Sequence, residues 1–493
     1  MKNNQNKLNI KDFVLKYKLS FILVLLFTIF IYGIKLYHYS ISIDTEAIIN
    51  SFNSQIMAWN SINRFSLMFL KYIFHLNPFN YYISNSVMIF FFSLSTYCLY
   101  YIIYKYSNHK PSNLKIALFS MLIISSPIFA EQFNFTLQCA EVAISLFIFD
   151  IGLILFFKYI SSHNILFIVF SILCFTVCLG CYQSFMTLLI SILIFYLLIN
   201  YRFDKKIKDY LFYFVSSLIV IISTFILYTI ISKTVMNIYN IASSNYLKDQ
   251  ITWFSVPVFY NLKRLIIYGG EVILGYGPFY SLSYLLCFII IIINIIKHKH
   301  NLFYIFINIL CLLSPFTLSI LLGTPEAIRA QIGLPIIVSL VITFMNNIHY
   351  KNIMITIVII IITSQTYNTL TLLHDDYIRY TYDFHLAQDI IKKIDYGIDN
   401  KKIIFIGHIK DYSKLKKGEV LGRSFFNWDI DSPLGINRRA IGFMNTLGYD
   451  LENPTLEEYN LAKELSLKKH LTIYPDRKSI YKYKNLIIIN LSK

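Results

Sequence analysis

Apolar runs of about 18 or more residues, long enough to cross about 30 Å of hydrocarbon as helix, recur along the chain from Phe21 to Leu372. Only helices suit them. An open sheet would leave backbone groups unpaired in lipid, and no segment shows the roughly ten-residue in/out alternation of a barrel strand. The pattern predicts about eleven spans: Tyr17–Leu36, Ile83–Tyr104, Leu114–Ala130, Leu137–Phe157, Ile165–Gly180, Phe185–Tyr201, Tyr210–Ile231, Tyr280–Ile296, Leu302–Leu322, Ile332–Phe344 and Ile353–Leu372. Two intervals between them are unusual. Ile48 to Leu76 is too polar to span, but it carries Ile56, Trp59, Ile62, Phe65 and Phe69 at near-helical spacing, as an element lying along the interface does. Lys233 to Pro278 contains "SVPVFYNLKRLIIYGGEVILGYGPF", where Gly and Pro interrupt an apolar stretch, and is expected to be re-entrant or interfacial.

From His374 onwards the pattern changes. Charges become dense, the short apolar runs "KIIFIGH" and "KNLIIINL" predict strands, and "PTLEEYNLAKELSL" predicts a helix with Thr455 as N-cap and Glu458 completing a capping box. The fold class expected is therefore an α-helical polytopic membrane protein, residues 1–373, followed by a small α/β domain, residues 374–493. About 120 residues suffice for a core of its own.

Composition agrees: 56% of the 493 residues are hydrophobic, 17% aromatic and only 14% charged. Lys2, Lys7, Lys11, Lys16 and Lys18 precede the first span like the start of a signal peptide. The apolar run is too long for one and lacks an Ala-x-Ala exit, so an uncleaved anchor is expected. The seven cysteines are odd in number, and Cys98, Cys174, Cys178, Cys287 and Cys311 lie within spans, so no disulfide framework is implied. Cys174, Cys178 and Cys181 have helical spacing, but without a neighbouring His or acid they read as packing rather than metal ligands.

The formal charge of +17 resides in short loops and the tail, which topology explains better than nucleic-acid binding. With a cytoplasmic amino terminus, the inside loops hold Lys105, Lys110 and Lys115, then Lys158, then Arg202, Lys205, Lys206 and Lys208, then Lys297 and Lys299, then Lys351. The opposite loops hold fewer cations: Arg64, Lys71, Lys233, Lys248, Lys263, Arg264 and Arg329. An odd number of spans then places the tail domain outside the cytoplasm.

That orientation puts Asp44, Glu46, Glu131, Asp249, Glu271, Glu326, Tyr182 and Gln183 on the outer side, where loops can assemble a site. Asp44 and Glu46, two residues apart in "SIDTE", point the same way on an extended segment. A carboxylate beside the membrane, partly desolvated, has a raised pKa and can act as general base towards a hydroxyl. The competing reading is a solvated pair that caps a helix starting near Ala47. In "TPEAIRAQ", Glu326 and Arg329 form either a local ion pair or a site in which Arg329 holds a phosphate, with Arg64, Lys263 and Arg264 as rivals.

Asp150 and Glu141 lie within one span, and an intramembrane acid is either functional or held by a structural hydrogen bond. Asp429 and Asp431 of "NWDID" have the spacing that soluble nucleotide-sugar transferases use for a metal. Nucleotide sugars are cytoplasmic and this domain is expected outside, so the pair reads as loop chemistry. Arg477 and Lys478, in a turn between expected strands, could contact a lipid phosphate or anionic glycan, or be merely solvated. No phosphate-cradling Gly loop, Ser-His-Asp order or zinc spacing is apparent.

The acidic first outer loop "SIDTE", the segment "PIFAEQFNF", "CYQSF" at Tyr182 and Gln183, and the tail's "GRSFFNWD" and "YPDRKSI" together resemble the GtrII-type, serotype-converting glucosyltransferases of bacterial membranes. The resemblance implies a GT-C type bundle in the inner (plasma) membrane that modifies O-antigen lipopolysaccharide or a related surface polysaccharide. It implies an undecaprenyl-phosphate-sugar donor, an acid in the first outer loop (here Asp44 or Glu46), and inversion as the acceptor hydroxyl displaces polyprenyl phosphate. A basic group must stabilise that phosphate, with Arg329 and Lys478 ranked before Arg64 and Arg477. Tyr182, Gln183, Glu131 and Glu326 are the expected substrate-binding residues. Neither a metal nor another cofactor is expected. The implied partners are the lipid-linked donor, the glycan acceptor, membrane lipid, and a donor synthase and flippase encoded alongside. The rival readings are a glycan polymerase and a lipid-linked sugar flippase. A flippase would need polar residues through the bundle, and a polymerase usually carries its large loop between spans.

Overall fold

The computed structural model describes residues 8–107, 109–345, 351–394, 401–410, 412 and 414–492. Lys2 and Lys7 of the basic start lie outside them. The chain forms two compact units, one of residues 1–37, 56–133 and 138–370, the other of residues 38–55, 134–137 and 371–493.

The first unit is a helical bundle. Among the described residues, five helices are long and apolar enough to cross a membrane: Tyr81–Lys105, Cys139–Ser162, Ile207–Ile238, Leu302–Leu322 and Asn352–Lys393. The number rises to seven if the bent pairs Ile10–Lys16 with Lys18–Tyr32, and Asn113–Ile124 with Pro127–Asn134, each count as one span. Eleven were expected. The other four expected segments are apolar helices of 10–17 residues, Ile165–Cys181, Phe185–Asn200, Ser283–Lys297 and Gly333–Phe344. A 16-residue helix rises only about 24 Å, which is why length alone does not make these spans. Pro127 explains one bend, since its ring removes a backbone donor where the apolar run continues.

Ring contacts define one end of this bundle. Phe13 packs on Tyr97, Tyr101 and Tyr104, Tyr106 on Phe157, Phe157 on Tyr196, and Tyr196 on Tyr213. Tyr201 meets Tyr304, Phe203 meets His298, and His109 meets Phe344. The helix ends and connections bearing Lys105, Lys158, Arg202 to Lys208, and Lys297 therefore gather together. At the opposite end Tyr32 meets Phe133, and Gln183 meets Tyr228.

The second unit contains a three-stranded sheet, β1 (Lys402–Ile406), β2 (Ile480–Tyr483) and β3 (Leu486–Asn490), in the order β1-β3-β2. β1 runs parallel to β3 with Ile404 opposite Ile488, and β2 is antiparallel to β3. Ile404, Ile406, Leu486 and Ile488 form a core with Ala462 of the helix Leu456–Lys468. That helix starts at the expected capping box of Thr455 and Glu458. A second helix, Gly435–Thr446, is fixed to β1 by Asn437, whose side chain accepts from the Phe405 N–H and donates to its carbonyl. The unit thus includes residues 374–493 and also takes in the 38–55 segment.

Candidate functional site

Within the second unit, a buried arginine fixes the segment that carries Asp44 and Glu46. Arg379 is fully buried and donates to the Ile41 carbonyl at 3.0 Å. It pairs with Asp376 at 2.9 Å and with Asp383 at 3.5 Å, both on its own helix Lys351–Lys393. Asp376 also accepts from the Gly422 N–H, while Asp383 accepts from Ser424, Tyr412 and the Phe425 N–H. One guanidinium therefore ties three stretches of chain together, and its charge is matched by two acids, as a buried cation requires. His38 packs against Tyr377 with a tilted ring, Tyr39 meets Tyr380 edge-on, and the Ser42 hydroxyl donates to the Asn134 carbonyl. Ile41, Ser42 and Ile43 are buried as a result.

Asp44 follows with a φ of 70°, in the left-handed region that non-glycine residues seldom occupy. It stands at the N-cap of the short helix Thr45–Asn50, yet its side chain caps nothing. Instead the Asp44 and Glu46 carboxylates converge on one terminal nitrogen of Arg439, Nη1, at 2.6 and 2.7 Å. The two acids share a side, as expected, but through a left-handed turn into a helix rather than an extended strand. Asp429 accepts from Nε of the same arginine at 2.8 Å and from Arg438 at 3.2 Å. It too has a positive φ, 57°. Two of the three acids around Arg439 thus hold backbone conformations of the kind that concentrate at functional sites.

Glu46 is the buried member, its side chain 4% exposed against 39% for Asp44. Burial pushes its carboxyl up to about 7; the Arg439 charge opposes that rise and Asp44 adds to it. Oε1 is bound to Arg439, whereas Oε2 makes no hydrogen bond among the described residues. Arg439 itself is held more firmly protonated by its acids, against the effect of burial. Two glycines of the Arg439 helix allow the close packing. A Cβ on Gly435 would lie 2.0 Å from the Asp429 carbonyl oxygen, and one on Gly442 would lie 3.0 Å from Cγ of Glu46. The cluster can accept a proton at Glu46 near neutral pH while Arg439 holds its geometry.

Three further expected residues meet in the first unit. Arg64 donates from Nε to Gln183 at 3.3 Å and lies 4.7 Å from the centroid of the Tyr182 ring. The amide of Gln183 is anchored on the Ile62 carbonyl and the Tyr228 hydroxyl. In the same unit Glu141 forms a buried 2.7 Å pair with Lys71, and Asp150 accepts from Ser95, the structural hydrogen bond considered for it. Glu131 is fully buried on the helix Pro127–Asn134. Glu326 is buried, with its backbone bonded to Ser319 and Gln331, and Arg329 is half-buried in the turn Ile328–Ala330.

Arg477 and Lys478 are exposed in the turn that leads into β2, the strand at the other edge of the sheet from β1. The structure does not bring them to the Arg439 cluster. Asp431 is exposed, and Asp429 serves the arginines rather than joining it.

Arg438, Arg439, Asp376, Arg379 and Asp383 were not singled out in the sequence. Two signals were present: the paired arginines of "INRRAIGF", and acids three residues before and four after Arg379, which a helix places on one face.

The family model described as Glucosyl transferase GtrII covers residues 33–323. No match was found among curated proteins or among solved structures.

Proposed function

The chain belongs to the GtrII glucosyl transferase family, a membrane glycosyltransferase with a glucosyltransferase role, and from that premise we propose that it moves glucose from a polyprenyl-phosphate sugar to a hydroxyl of a surface polysaccharide, with inversion. The observation that carries this reading is Glu46: a buried carboxylate with one oxygen fixed by Arg439 and the other without a hydrogen bond among the described residues, its proton affinity raised by that burial.

In the proposed step Glu46 Oε2 takes the proton of the acceptor hydroxyl. The acceptor oxygen forms a bond to the anomeric carbon as the bond from that carbon to the phosphate oxygen breaks, and polyprenyl phosphate leaves with the electron pair. Arg439 holds the base in place. Asp44 keeps its proton affinity high enough for the task. Charge that grows on the leaving phosphate calls for a fixed cation, a role we assign among Arg329, Lys478, Arg64 and Arg477. Within its own unit, the Arg64 guanidinium is aligned by Tyr182 and Gln183. A cation of this kind serves a monophosphate leaving group without a metal. The proposed transfer takes place at the outer face of the inner membrane, onto O-antigen or a related glycan, with the amino terminus in the cytoplasm.

The test is an assay on membranes containing the protein, supplied with polyprenyl-phosphate glucose or with a nucleotide glucose and an acceptor glycan. Transfer from the lipid-linked donor alone is expected. Transfer from the nucleotide sugar without any lipid-linked intermediate would overturn the donor assignment.

A further inference from the structure

At the basic end of the bundle, a cavity of about 660 Å³ opens between the helices Phe185–Asn200, Leu211–Ile238 and Leu302–Leu313. Its size falls within the roughly 300–1,000 Å³ of ligand sites. Leu193, Leu197, Phe214, Leu218, Ile307 and Leu310 supply much of the wall.

The polar side chains that line it are already engaged. The Tyr210 hydroxyl bonds the Arg202 backbone, accepting from its N–H at 2.7 Å. Tyr213 donates to the Leu193 carbonyl and Ser217 to the Tyr213 carbonyl, each at 2.8 Å. Each of these three hydroxyls is engaged by a bond within the protein, and the rest of the wall apart from Lys208 is apolar, so the slot favours hydrocarbon.

Charge appears at the rim. Lys208 lines the cavity from the turn Ile207–Tyr210 and is exposed to solvent. Its connection, residues 201–209, holds four cations, Arg202, Lys205, Lys206 and Lys208, against two acids. The acids are committed locally, Asp204 to Arg202 and Asp209 to the Lys206 N–H. A hydrocarbon slot capped by net positive charge matches a lipid whose head group is an anion.

We propose that this groove binds an anionic glycerophospholipid, with an acyl chain between the three helices and the phosphate beside Lys208. The assignment is separate from sugar transfer. The groove opens at the end of the bundle opposite Arg64, Tyr182 and Gln183, so a donor phosphate aligned on Arg64 does not lie at this rim.

The experiment titrates the full-length, delipidated protein in detergent with dioleoyl-phosphatidylglycerol or dioleoyl-phosphatidylcholine and counts bound lipid by native mass spectrometry. The anionic lipid should bind about fivefold more tightly or better, the increment expected from one cation near a lipid surface. Lys208→Glu, at an exposed site that leaves folding intact, should abolish that preference. Leu218→Trp, which fills the groove from its partly open side, should weaken both lipids. Equal binding of the two lipids by the wild type would overturn the proposal, as would a preference unchanged by Lys208→Glu. So would displacement of phosphatidylglycerol by polyprenyl phosphate at lower concentration, because the groove would then belong to the donor lipid.

Discussion

Glu46 has one oxygen bound to Arg439 and one that bonds nothing among the described residues, and this asymmetry suits a base that must be held still and yet receive a proton. Its carboxyl, raised to about 7, must be ionised to act, so transfer should fall about tenfold per pH unit below that value. Replacing Asp44 by Asn removes a neighbouring negative charge that raises the Glu46 pKa, so the acid limb of the pH profile should move to lower pH. Arg439→Gln removes the opposing cation and should move it to higher pH. Rates measured between pH 5 and 9 for the three proteins check both shifts, and identical profiles would contradict the coupling. Gly435→Ala forces a methyl onto the Asp429 carbonyl and should cost about 1–3 kcal/mol, read by thermal denaturation. At this scale the sequence was half legible. "DTE" singles out an acid pair by its place after a span, but nothing local links it to Arg439, 393 residues further on.

At the scale of elements, the buried Arg379 network decides whether the 38–43 segment is fixed. Arg379→Met leaves Asp376 and Asp383 buried without their cation, and should cost about 3–5 kcal/mol in the melting of the purified protein. Arg379→Lys should not restore it, since a point charge cannot reach two carboxylates and the Ile41 carbonyl together. As a contrast, Thr455→Ala removes a helix cap that bonds none of Asp44, Glu46, Asp376 and Asp383, and should cost about 1 kcal/mol with sugar transfer unchanged. Elements were the most legible level. Thr455 and Glu458 announce their helix by a local rule, and the apolar runs announce theirs by period. Span ends were less so, because Pro127 and the short helix Phe185–Asn200 break the link between an apolar run and one full crossing.

For the whole molecule, the second unit is drawn from three stretches of sequence, and a boundary at His374 captures only the longest. Composition marks the tail because its charge density changes there. It cannot mark residues 38–55, whose membership depends on the Arg379 and Arg439 contacts. The orientation proposed for the chain has its own check. Cysteine placed at Lys478 should react with a membrane-impermeant maleimide in intact cells, and cysteine at Lys206 should not. The native cysteines are all buried or half-buried, which keeps the background low. Labelling in the reverse order would place the second unit on the cytoplasmic side and remove the lipid-linked donor from the account.

The measurement that bears most directly on the central claim is sugar transfer by Glu46→Gln, with the melting temperature recorded beside it. Glutamine keeps an oxygen for Arg439 but cannot take the acceptor proton. Transfer should drop by about 10²–10⁴-fold with the fold retained. A folded Glu46→Gln protein that transfers glucose at the wild-type rate would show that the base lies elsewhere.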